Sequence, residues 1–547
     1  MSTVTTPMVG GAEIHVNGPL LDPTLGQRVS EVRVQDNLML PTAFLIRFSD
    51  AEMANVDTHP FAVGASVEIL MAAPGSSTPT SLVKGQVASV EAEFDHGGVT
   101  IAARGYDQSY VLNRSSISQT YQNMTADDIA QKIASRNGLT PGTIDSAGAA
   151  SPHEFQHNET DWAFLWRLAR RIDFEVGVSD KTLNFRRAAP GASPVELRYG
   201  ETLQVFRPRV TGVQQVDTVL VRAWDPSSKQ AIESSADAPS QLATSIGISR
   251  SDVASGLGGG TVAIGDRPVM EQDEADALAT SVAARLANGF AEAEGTCVGD
   301  PRVHAGAGIQ VEGVGTRWGG IYTITSSTHL LRGQHGYHTQ FVVSGRAPRH
   351  LIDLMTPAPA REWGSSLVVG TVTQNDDPDG LGRIRVKHPD LGDSIEGWWA
   401  RMATLNAGGD RGVLMLPQVG DEVVVGFEHG DVRHPYVLGS VWNGSDTPGD
   451  DLTKTDGSFG LLSQAAITAK AEGTITLTTK QDLSIETDGK ITEKASGDYQ
   501  VEGQSVSIKA NGSVTVEATG DLTLKGSTVS LQAQGTVSVS GAQISLG

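Results

Sequence analysis

The chain from Phe459 onward repeats a short apolar pattern that limits what it can fold into. Two apolar residues, separated by one position, recur mostly every seven or eight residues. On a β-strand, side chains two positions apart point to the same face. The spacers are rich in Gly, Asp, Asn, Lys and Thr, which suit tight corners. The pattern predicts a short-period β-solenoid, whose repeats must stack to bury their apolar faces.

The predicted core of this solenoid consists of apolar pairs. Its members are Ile475, Leu477, Leu483, Ile485, Val506, Ile508, Val514, Val516, Leu522, Leu524, Val529, Leu531, Val537 and Val539. Further pairs extend the pattern on both sides, namely Phe459/Leu461, Ile467/Ala469, Tyr499/Val501 and Ile544/Leu546. The pattern is weakest at Ile491, because the partner position holds Glu493.

Two architectures fit this repeat. A single chain could coil with three strands per turn, or three chains could wind around one axis and each supply one wall of a prism. A fully buried Val, Ile or Leu contributes roughly 1.5 to 3 kcal/mol, so two per strand make a thin core for a small separate domain. Trimerisation would also remove the open sheet edges. Both architectures remain open on the residues alone.

Length and composition bound the remaining possibilities. A chain of 547 residues exceeds what one compact core usually supports, which predicts two to four domains. The net charge of −22 argues against a general affinity for nucleic acid or for an anionic membrane surface. The single cysteine, Cys297, excludes an internal disulfide framework and is predicted to be a buried spectator thiol.

No targeting or membrane segment is visible. The first residues, MSTVTTPMVGGAEIHV, lack a basic region followed by an apolar stretch. No apolar run approaches the roughly 20 residues that a membrane helix needs. We expect synthesis in the cytoplasm without a signal peptide, followed by assembly into a particle that stays in the cytoplasm or is released.

The region before the repeat predicts a mainly β, multi-domain fold with a few helices. Abundant glycine (62 residues) with few aromatics (5%) favours turn-rich β structure. Helices are predicted after Thr125, after Thr160 and from about 273 to 288, because each start or stop has a capping signal or helical spacing. Residues 224–260, which are polar and glycine-rich, are interpreted as a long surface insertion.

Residues 366–446 carry several motifs in a fixed order. They are DPDGLGR from Asp377, WAR from Trp399, LPQVGDEV from Leu416, FEHGD from Phe427 and PYVLGSVWNG from Pro435. Together they resemble the OB-fold domain of VgrG and phage baseplate spike proteins. The motif positions are Asp377, Asp379, Gly380, Gly382, Arg383, Trp399, Pro417, Gly420, Asp421, Glu422, Pro435, Tyr436, Gly439 and Trp442.

The resemblance extends upstream. ETDWAFLWRLA, from Glu159, is similar to a helix of the family's hub, the phage late-control protein D, and residues 320–322 with 328–329 resemble a later strand pair. The resemblance and a proline-containing boundary at 356–362 imply four segments. They are a hub of two β-barrels with helices (1–360), an OB-fold barrel (361–447), a linker (448–458) and a triple-stranded intertwined β-helix (459–547).

The resemblance implies a homotrimeric central spike of a contractile injection system. The hub would join the hexameric tube and the baseplate proteins, and the β-helix would puncture the target membrane mechanically. A PAAR-type tip protein would cover the blunt apolar end at Ile544, Leu546 and Gly547. We expect an extracellular-type, phage-tail-like particle, with a type VI secretion VgrG or a true phage spike as alternatives. A single-chain β-solenoid adhesin is a distant alternative.

Other chemistry is expected to be absent. An OB fold that binds oligonucleotides needs a basic groove, whereas acidic residues outnumber basic ones from 361 to 446. Residues 375–380 mimic the start of a calcium loop, but Val386 replaces the Glu of the twelfth position, so a solvent-facing turn is expected. His429 and His434 flank Asp431 without further metal-ligand spacing. We expect no cofactor, no metal and no enzymatic activity, also because the short linker and the chain end leave no space for the lysozyme or toxin of some relatives.

Overall fold

The computed structural model describes residues 12–545 except 51, 97, 188–192, 214, 241, 334, 346–366, 390–391, 393–394, 451 and 454. The chain divides into two units, 1–458 and 459–547, which are described separately. The predicted hub–OB boundary at 360/361 lies outside the described residues.

The described residues form six α-helices, and two 3₁₀ helices lie at Gln108–Asn113 and Glu428–Gly430. The α-helices are α1 (Pro23–Gly26), α2 (Ala126–Arg136), α3 (Asp161–Arg171), α4 (Arg250–Gly256), α5 (Gln272–Asn288) and α6 (Gly315–Trp318). The strands of the first half are β1 (Ala12–Val16), β2 (Val29–Asn37), β3 (Leu40–Ser49), β4 (Ser66–Ala72), β5 (Pro79–Asp95), β6 (Gly98–Asp107), β7 (Ser116–Met124), β8 (Thr140–Ile144), β9 (Ser151–Thr160), β10 (Phe174–Ser179), β11 (Thr182–Arg187), β12 (Val195–Arg198), β13 (Leu203–Val210), β14 (Thr218–Asp225) and β15 (Gln230–Asp237). Those of the second half are β16 (Ser245–Ile246), β17 (Thr261–Ile264), β18 (Ala291–Val298), β19 (Gly308–Glu312), β20 (Gly320–Thr323), β21 (Ser326–Arg332), β22 (Gly336–Val343), β23 (Val368–Gln374), β24 (Arg385–Lys387), β25 (Arg401–Met402), β26 (Ala407–Gly408), β27 (Arg411–Gly412), β28 (Glu422–Phe427) and β29 (Pro435–Ser440).

A ten-stranded sheet in the order β1-β4-β5-β6-β3-β2-β21-β22-β18-β13 forms the centre of the hub. Strands far apart in the chain meet in it, since β2 pairs antiparallel with β21. One apolar core, around Phe48 and Ile69, packs against β1 to β6, and a second, around Tyr322 and Phe341, packs against the β18 and β22 half. The predicted mainly β fold is confirmed, and its two hub cores share one continuous sheet.

The helical part of the hub follows from capping and amphipathic spacing. Thr125 accepts a hydrogen bond from the Asp128 backbone N–H, and the Asp128 carboxylate accepts one from the Thr125 N–H, which makes a capping box before α2. Thr160 caps α3 in the same way through the Ala163 N–H. Apolar residues of both helices, among them Ile133 and Phe164, are fully buried in a third core with β10 and β11. The three predicted helices are confirmed.

The segment 224–260 was interpreted as a surface insertion, but it contains regular structure. β15 pairs antiparallel with β14 along its whole length, and α4 follows after β16. Ile232 and Ser234 alternate toward the interior, where α5 covers the sheet. Most of the described residues from 224 to 260 are exposed, which agrees with a surface segment, whereas the strand β15 and the helix α4 within it were not predicted.

The OB-fold segment forms a five-stranded sheet in the order β24-β23-β28-β29-β25. Its core contains Val372, Ile384, Val386, Val423 and Val425, each at most 2% exposed. The alternate buried positions on β23 and β28 explain why these strands form one face of a half-barrel.

Cys297 of the hub is buried as predicted, and burial raises the pKa of its thiol to about 12.

The second unit differs in kind from the first. No residue from 459 to 545 lies in a helix or a strand, and every one of them is exposed. None of the helices that the structure describes is both long and apolar enough to cross a lipid bilayer.

Candidate functional site

A buried cluster of charges joins the OB-fold segment to the hub. Its centre is Arg433, which precedes β29 and is 4% exposed. The guanidinium contacts Asp431 (Nη2 to Oδ2, 3.0 Å), Glu274 on α5 (Nη1 to Oε1, 2.9 Å) and Glu154 on β9 (Nη1 to Oε1, 3.4 Å). One OB residue therefore pairs with carboxylates from two separate hub elements.

Glu154 is the hub side of this cluster and is 4% exposed. Besides Arg433 it contacts two arginines of α3, Arg171 (Oε1 to Nη1, 2.5 Å) and Arg167 (Oε2 to Nη1, 3.7 Å). Arg167 and Arg171 are four residues apart and so lie on the same face of α3, which is the face that contacts Glu154 of β9. Three carboxylates and three guanidinium groups are thus collected in one place, which is the condition under which buried charges are tolerated.

The electrostatics of the cluster follow from burial and pairing. Burial alone would raise the pKa of Glu154, but Arg171, Arg433 and Arg167 lower it below its ordinary value. Burial opposes ionisation of Asp431 too, yet the charge of Arg433 and its hydrogen bonds hold that pKa far below the usual range. The pKa of Arg433 is raised well above its ordinary value, against the effect of burial. Glu154, Asp431 and Arg433 are therefore ionised at neutral pH.

A ring contact lies beside the charges. His153, next to Glu154 on β9, stacks on Trp398 of the OB-fold segment, with ring centroids 5.7 Å apart. The imidazole is 1% exposed, and burial lowers its pKa to about 4. Glu154 raises this pKa, whereas Arg385 and Arg433 lower it. His153 is therefore neutral at pH 7.

The first OB motif forms a tight turn held by one ion pair. Asp377 accepts hydrogen bonds from the Arg383 guanidinium at 2.7 and 3.0 Å and from the backbone N–H groups of Asp379 and Leu381. Its side chain is 3% exposed, and the hydrogen bonds from Arg383 lower its pKa strongly. The expected solvent-facing turn is present, since Asp376, Pro378, Asp379 and Gly380 are exposed, but the Asp377 carboxylate within it is buried and accepts hydrogen bonds from protein donors. Gly380 and Gly382 adopt φ of +66° and +68°, which favour glycine.

The remaining motif residues hold the half-barrel together. Trp399 lies under Arg383 and Arg385, with guanidinium carbons 5.7 and 5.9 Å from its ring centre. Tyr436 donates to Glu428 at 3.1 Å and accepts from Arg401 at 2.9 Å. The other contacts are the Pro417 carbonyl with Asn375, Asp421 with the Gln418 N–H, Glu422 with Asn443, and Pro435 opposite Phe427 in the ladder. Gly420 adopts φ of +101°, a backbone conformation that favours glycine. Gly439 of β29 pairs with Val424 of β28. Trp442 follows β29 and is 63% exposed.

The predicted β-helix residues are exposed in the single chain. The fourteen core positions from Ile475 to Val539 are 52 to 77% exposed. Ile544, predicted to bind the tip, is 52% exposed, and Leu546 and Gly547 lie outside the described residues. Their assignment to a trimer core and a tip site stays a prediction.

No metal centre is found in the part of the chain that the structure describes, where no three His, Cys, Asp or Glu side chains are grouped to hold an ion. His434 lies 3.9 Å from Glu428, and burial lowers its pKa. The sequence reasoning missed the Arg433 cluster. A signal was present, because HEFQH at 153–157 places polar residues on both faces of a strand.

Two parts of the chain match models of known protein families. Residues 368–442 match the family model described as the type VI secretion system/phage-baseplate injector OB domain. Residues 8–332 match the model described as the Alg8 N-terminal domain, and since this is more than half of the chain, the protein belongs to that family.

Individual relatives match over a shorter range. The type VI secretion system spike protein VgrG1a of Pseudomonas aeruginosa is 29% identical over 117 residues, which are 20% of this chain and 18% of the relative. The probable baseplate hub protein of Escherichia phage P2 is 38% identical over 106 residues, 18% of this chain and 27% of the relative. The chain thus spans less than a third of the length of these two relatives. The predicted resemblance to VgrG and phage baseplate proteins is confirmed.

Two of the matching solved structures are the following. The E. coli c3393 protein, described as a type VI secretion component with structural similarity to the T4 tail proteins gp27 and gp5, has a TM-score of 0.45 and 16% identity over 78% of this chain and 100% of its own. The half-lidded Francisella PdpA-VgrG complex has a TM-score of 0.48 and 9% identity over 81% of this chain and 79% of its own.

Replacing Arg433 by Met tests the buried cluster. The variant leaves Glu154 and Asp431 buried with one partner fewer, so the free energy of unfolding should fall by about 3 to 5 kcal/mol. The matched control is Arg222→Met, since the Arg222–Glu233 pair is 62% and 51% exposed, and this change should cost less than about 1 kcal/mol. Urea unfolding followed by tryptophan fluorescence measures both. Equal losses in the two variants would contradict the cluster's role.

The buried imidazole of His153 predicts acid sensitivity. Its folded pKa of about 4 lies below the ordinary value of 6.5, so the unfolded chain binds more protons between these values and stability falls as pH falls through this window. Between pH 7 and pH 5 this one group should remove about 2 kcal/mol of stability. His153→Phe keeps a ring against Trp398 and should lose that part of the pH dependence. His329, also buried with a pKa of about 3, contributes equally to both proteins. The same decline in wild type and variant would sink this assignment.

Proposed function

We propose that this protein is the structural, trimeric central spike of a phage-tail-like contractile injection system. The hub would join the hexameric tube and the baseplate, and the unit 459–547 would form the needle. Its work would be mechanical and would involve no catalysis, metal or cofactor.

The observation that carries the proposal is the state of residues 459–545 in one chain. Their apolar pairs are exposed, and the backbone of this segment has no strand partner within the chain. Unpaired strand edges and a long apolar stripe are both strongly unfavourable in water. Three chains wound together would supply each strand with neighbours and bury the pairs on one axis.

The alternative of a single-chain solenoid is less well supported. In such a solenoid, strands of successive coils would pair with one another within the chain. From 459 to 545 no residue is assigned to such a ladder. An adhesin built on a single-chain coil is therefore the weaker candidate.

The kind of machine is proposed from the relatives. The matches include a type VI secretion spike protein and a phage baseplate hub protein, and both names describe parts of contractile assemblies. We favour an extracellular-type particle, and keep a type VI secretion VgrG or a phage spike as the alternatives. A PAAR-type tip protein would cover the end near Ile544 and Leu546.

The trimer is tested by its mass and by the needle. Light scattering should give full-length protein a mass three times 57.5 kDa. Val514→Asp with Val516→Asp places charges in the predicted core and should make residues 459–547 sensitive to protease, because buried unpaired charges are costly. Ser513→Asp with Thr515→Asp changes the alternate, outward positions and should leave the needle resistant. A wild-type mass of one chain would overturn the proposal.

The tip site is tested at the apolar end. Ile544→Asp with Leu546→Asp should leave the trimer mass unchanged and abolish binding of a purified PAAR-repeat protein, since charges on the end face would have to be desolvated. Ser545→Asp, between the two, is the control and should bind normally. Binding is measured by biolayer interferometry. If the double variant binds like wild type, the tip lies elsewhere.

A further inference from the structure

The OB sheet has an apolar core on its inner face and an apolar patch on its other face. Val423, Val425 and Val437 are buried on its inner face. On the other face Leu367, Val369 and Leu438 are 64%, 48% and 50% exposed. An antiparallel sheet with one solvated face normally alternates apolar and polar residues, so this face is built to be covered.

These three exposed residues and the half-buried Val424 and Gly426 form one surface, here called the outer face. Val369 and Val424 are paired directly across β23 and β28. A side-chain carbon at Gly426 would lie 3.5 Å from Leu367 and 3.9 Å from Leu438, so these two leucines flank the glycine. The glycine leaves a shallow depression between them.

A second apolar surface lies on the β26–β27 hairpin of the same domain. Leu405, Leu414 and Met415 are 93%, 73% and 67% exposed. The hairpin is closed by pairing of Ala407 with Gly412 and by the Thr404 hydroxyl, which donates to the Val413 carbonyl. These three side chains are called the hairpin patch, and they are more exposed than the residues of the outer face.

The two surfaces also carry opposite charges. Arg411 lies in the hairpin, and Glu422 lies two residues before Val424 on β28, on the same side of the strand. Glu422 accepts a hydrogen bond from Asn443 at 3.2 Å. Over the described residues neither Arg411 nor Glu422 forms an ion pair. A base and an acid are therefore left for a partner.

We propose that the hairpin patch of one chain docks on the outer face of the next chain, with Arg411 against Glu422. A second copy of this chain is the occupant because a closed ring of three needs two different, complementary patches on each subunit, whereas a twofold dimer needs one self-complementary patch. The OB domain has two patches that differ in shape and in charge. This inference rests on the trimer proposed above and adds how its OB domains meet.

Cysteine cross-linking tests the docking. Leu414→Cys with Leu438→Cys puts a thiol on each surface, and a short bismaleimide should link the full-length protein into covalent dimers and trimers on a denaturing gel. Either single variant should stay at the mass of one chain on the gel. In that variant the introduced thiol of each chain would face a surface of the next chain that carries no introduced thiol. Cys297 is fully buried and its thiol stays protonated, so it does not react. Dimers from a single variant would indicate a self-complementary contact and overturn the docking.

The mass in solution, measured by light scattering, distinguishes a failure of the proposed docking from a failure of the proposed trimer. A double variant that scatters as three chains but gives no cross-link overturns the docking and leaves the trimer standing. A double variant and a wild type that both scatter as one chain overturn the proposed function itself.

Charge reversal adds a second test, since Arg411→Glu should weaken the OB–OB cross-link and Glu422→Arg in the same chain should restore it. A cross-link unchanged by Arg411→Glu would contradict the ion pair.

Discussion

The buried ion cluster around Arg433 sets the relation between the hub and the OB-fold segment. A single buried arginine or glutamate is very costly, and the cost is met when partners lie on every side. Here the partners come from β9, α3, α5 and the OB loop before β29, so the charges are paired when those elements are brought together. Hydrophobic contact alone would allow sliding, whereas hydrogen-bonded charges fix a register.

The contrast between the two units shows where a single chain is enough. Residues 12–458 bury several apolar cores and pair their strands within the chain. Residues 459–545 do neither, although their apolar pairs are as regular as those of any strand in the hub. A repeat with two apolar residues per strand buries too little surface to order one chain. The needle is therefore expected to fold only as it assembles, whereas the hub and OB segment hold their cores beforehand.

Local patterns predicted the elements well and the contacts between distant elements poorly. The helices were predictable because Thr125 and Thr160 mark their starts by hydrogen bonds within four residues. The OB fold was predicted by resemblance, because its motifs, such as the one from Asp377 to Arg383, are short and continuous in the sequence. Glu154, Glu274 and Arg433 meet from positions more than a hundred residues apart, and no periodicity in a sequence records that. Likewise β15 was missed, because its Ile232 is covered by a helix that begins forty residues later.

The same reasoning explains why exposed apolar residues are informative here. An apolar side chain on a surface is ordinary by itself, but one that continues a buried strand on its second face is not. The outer face of the OB sheet has this property. The stripe from Phe459 onward is unusual for another reason, since its regularly spaced apolar pairs are exposed and residues 459–545 form no strand in the single chain. In a monomer each of them would leave apolar surface exposed to water. Both surfaces would be covered in the symmetric assembly proposed above, in which neighbouring chains supply strand partners to residues 459–545 and cover to the outer face of the OB sheet.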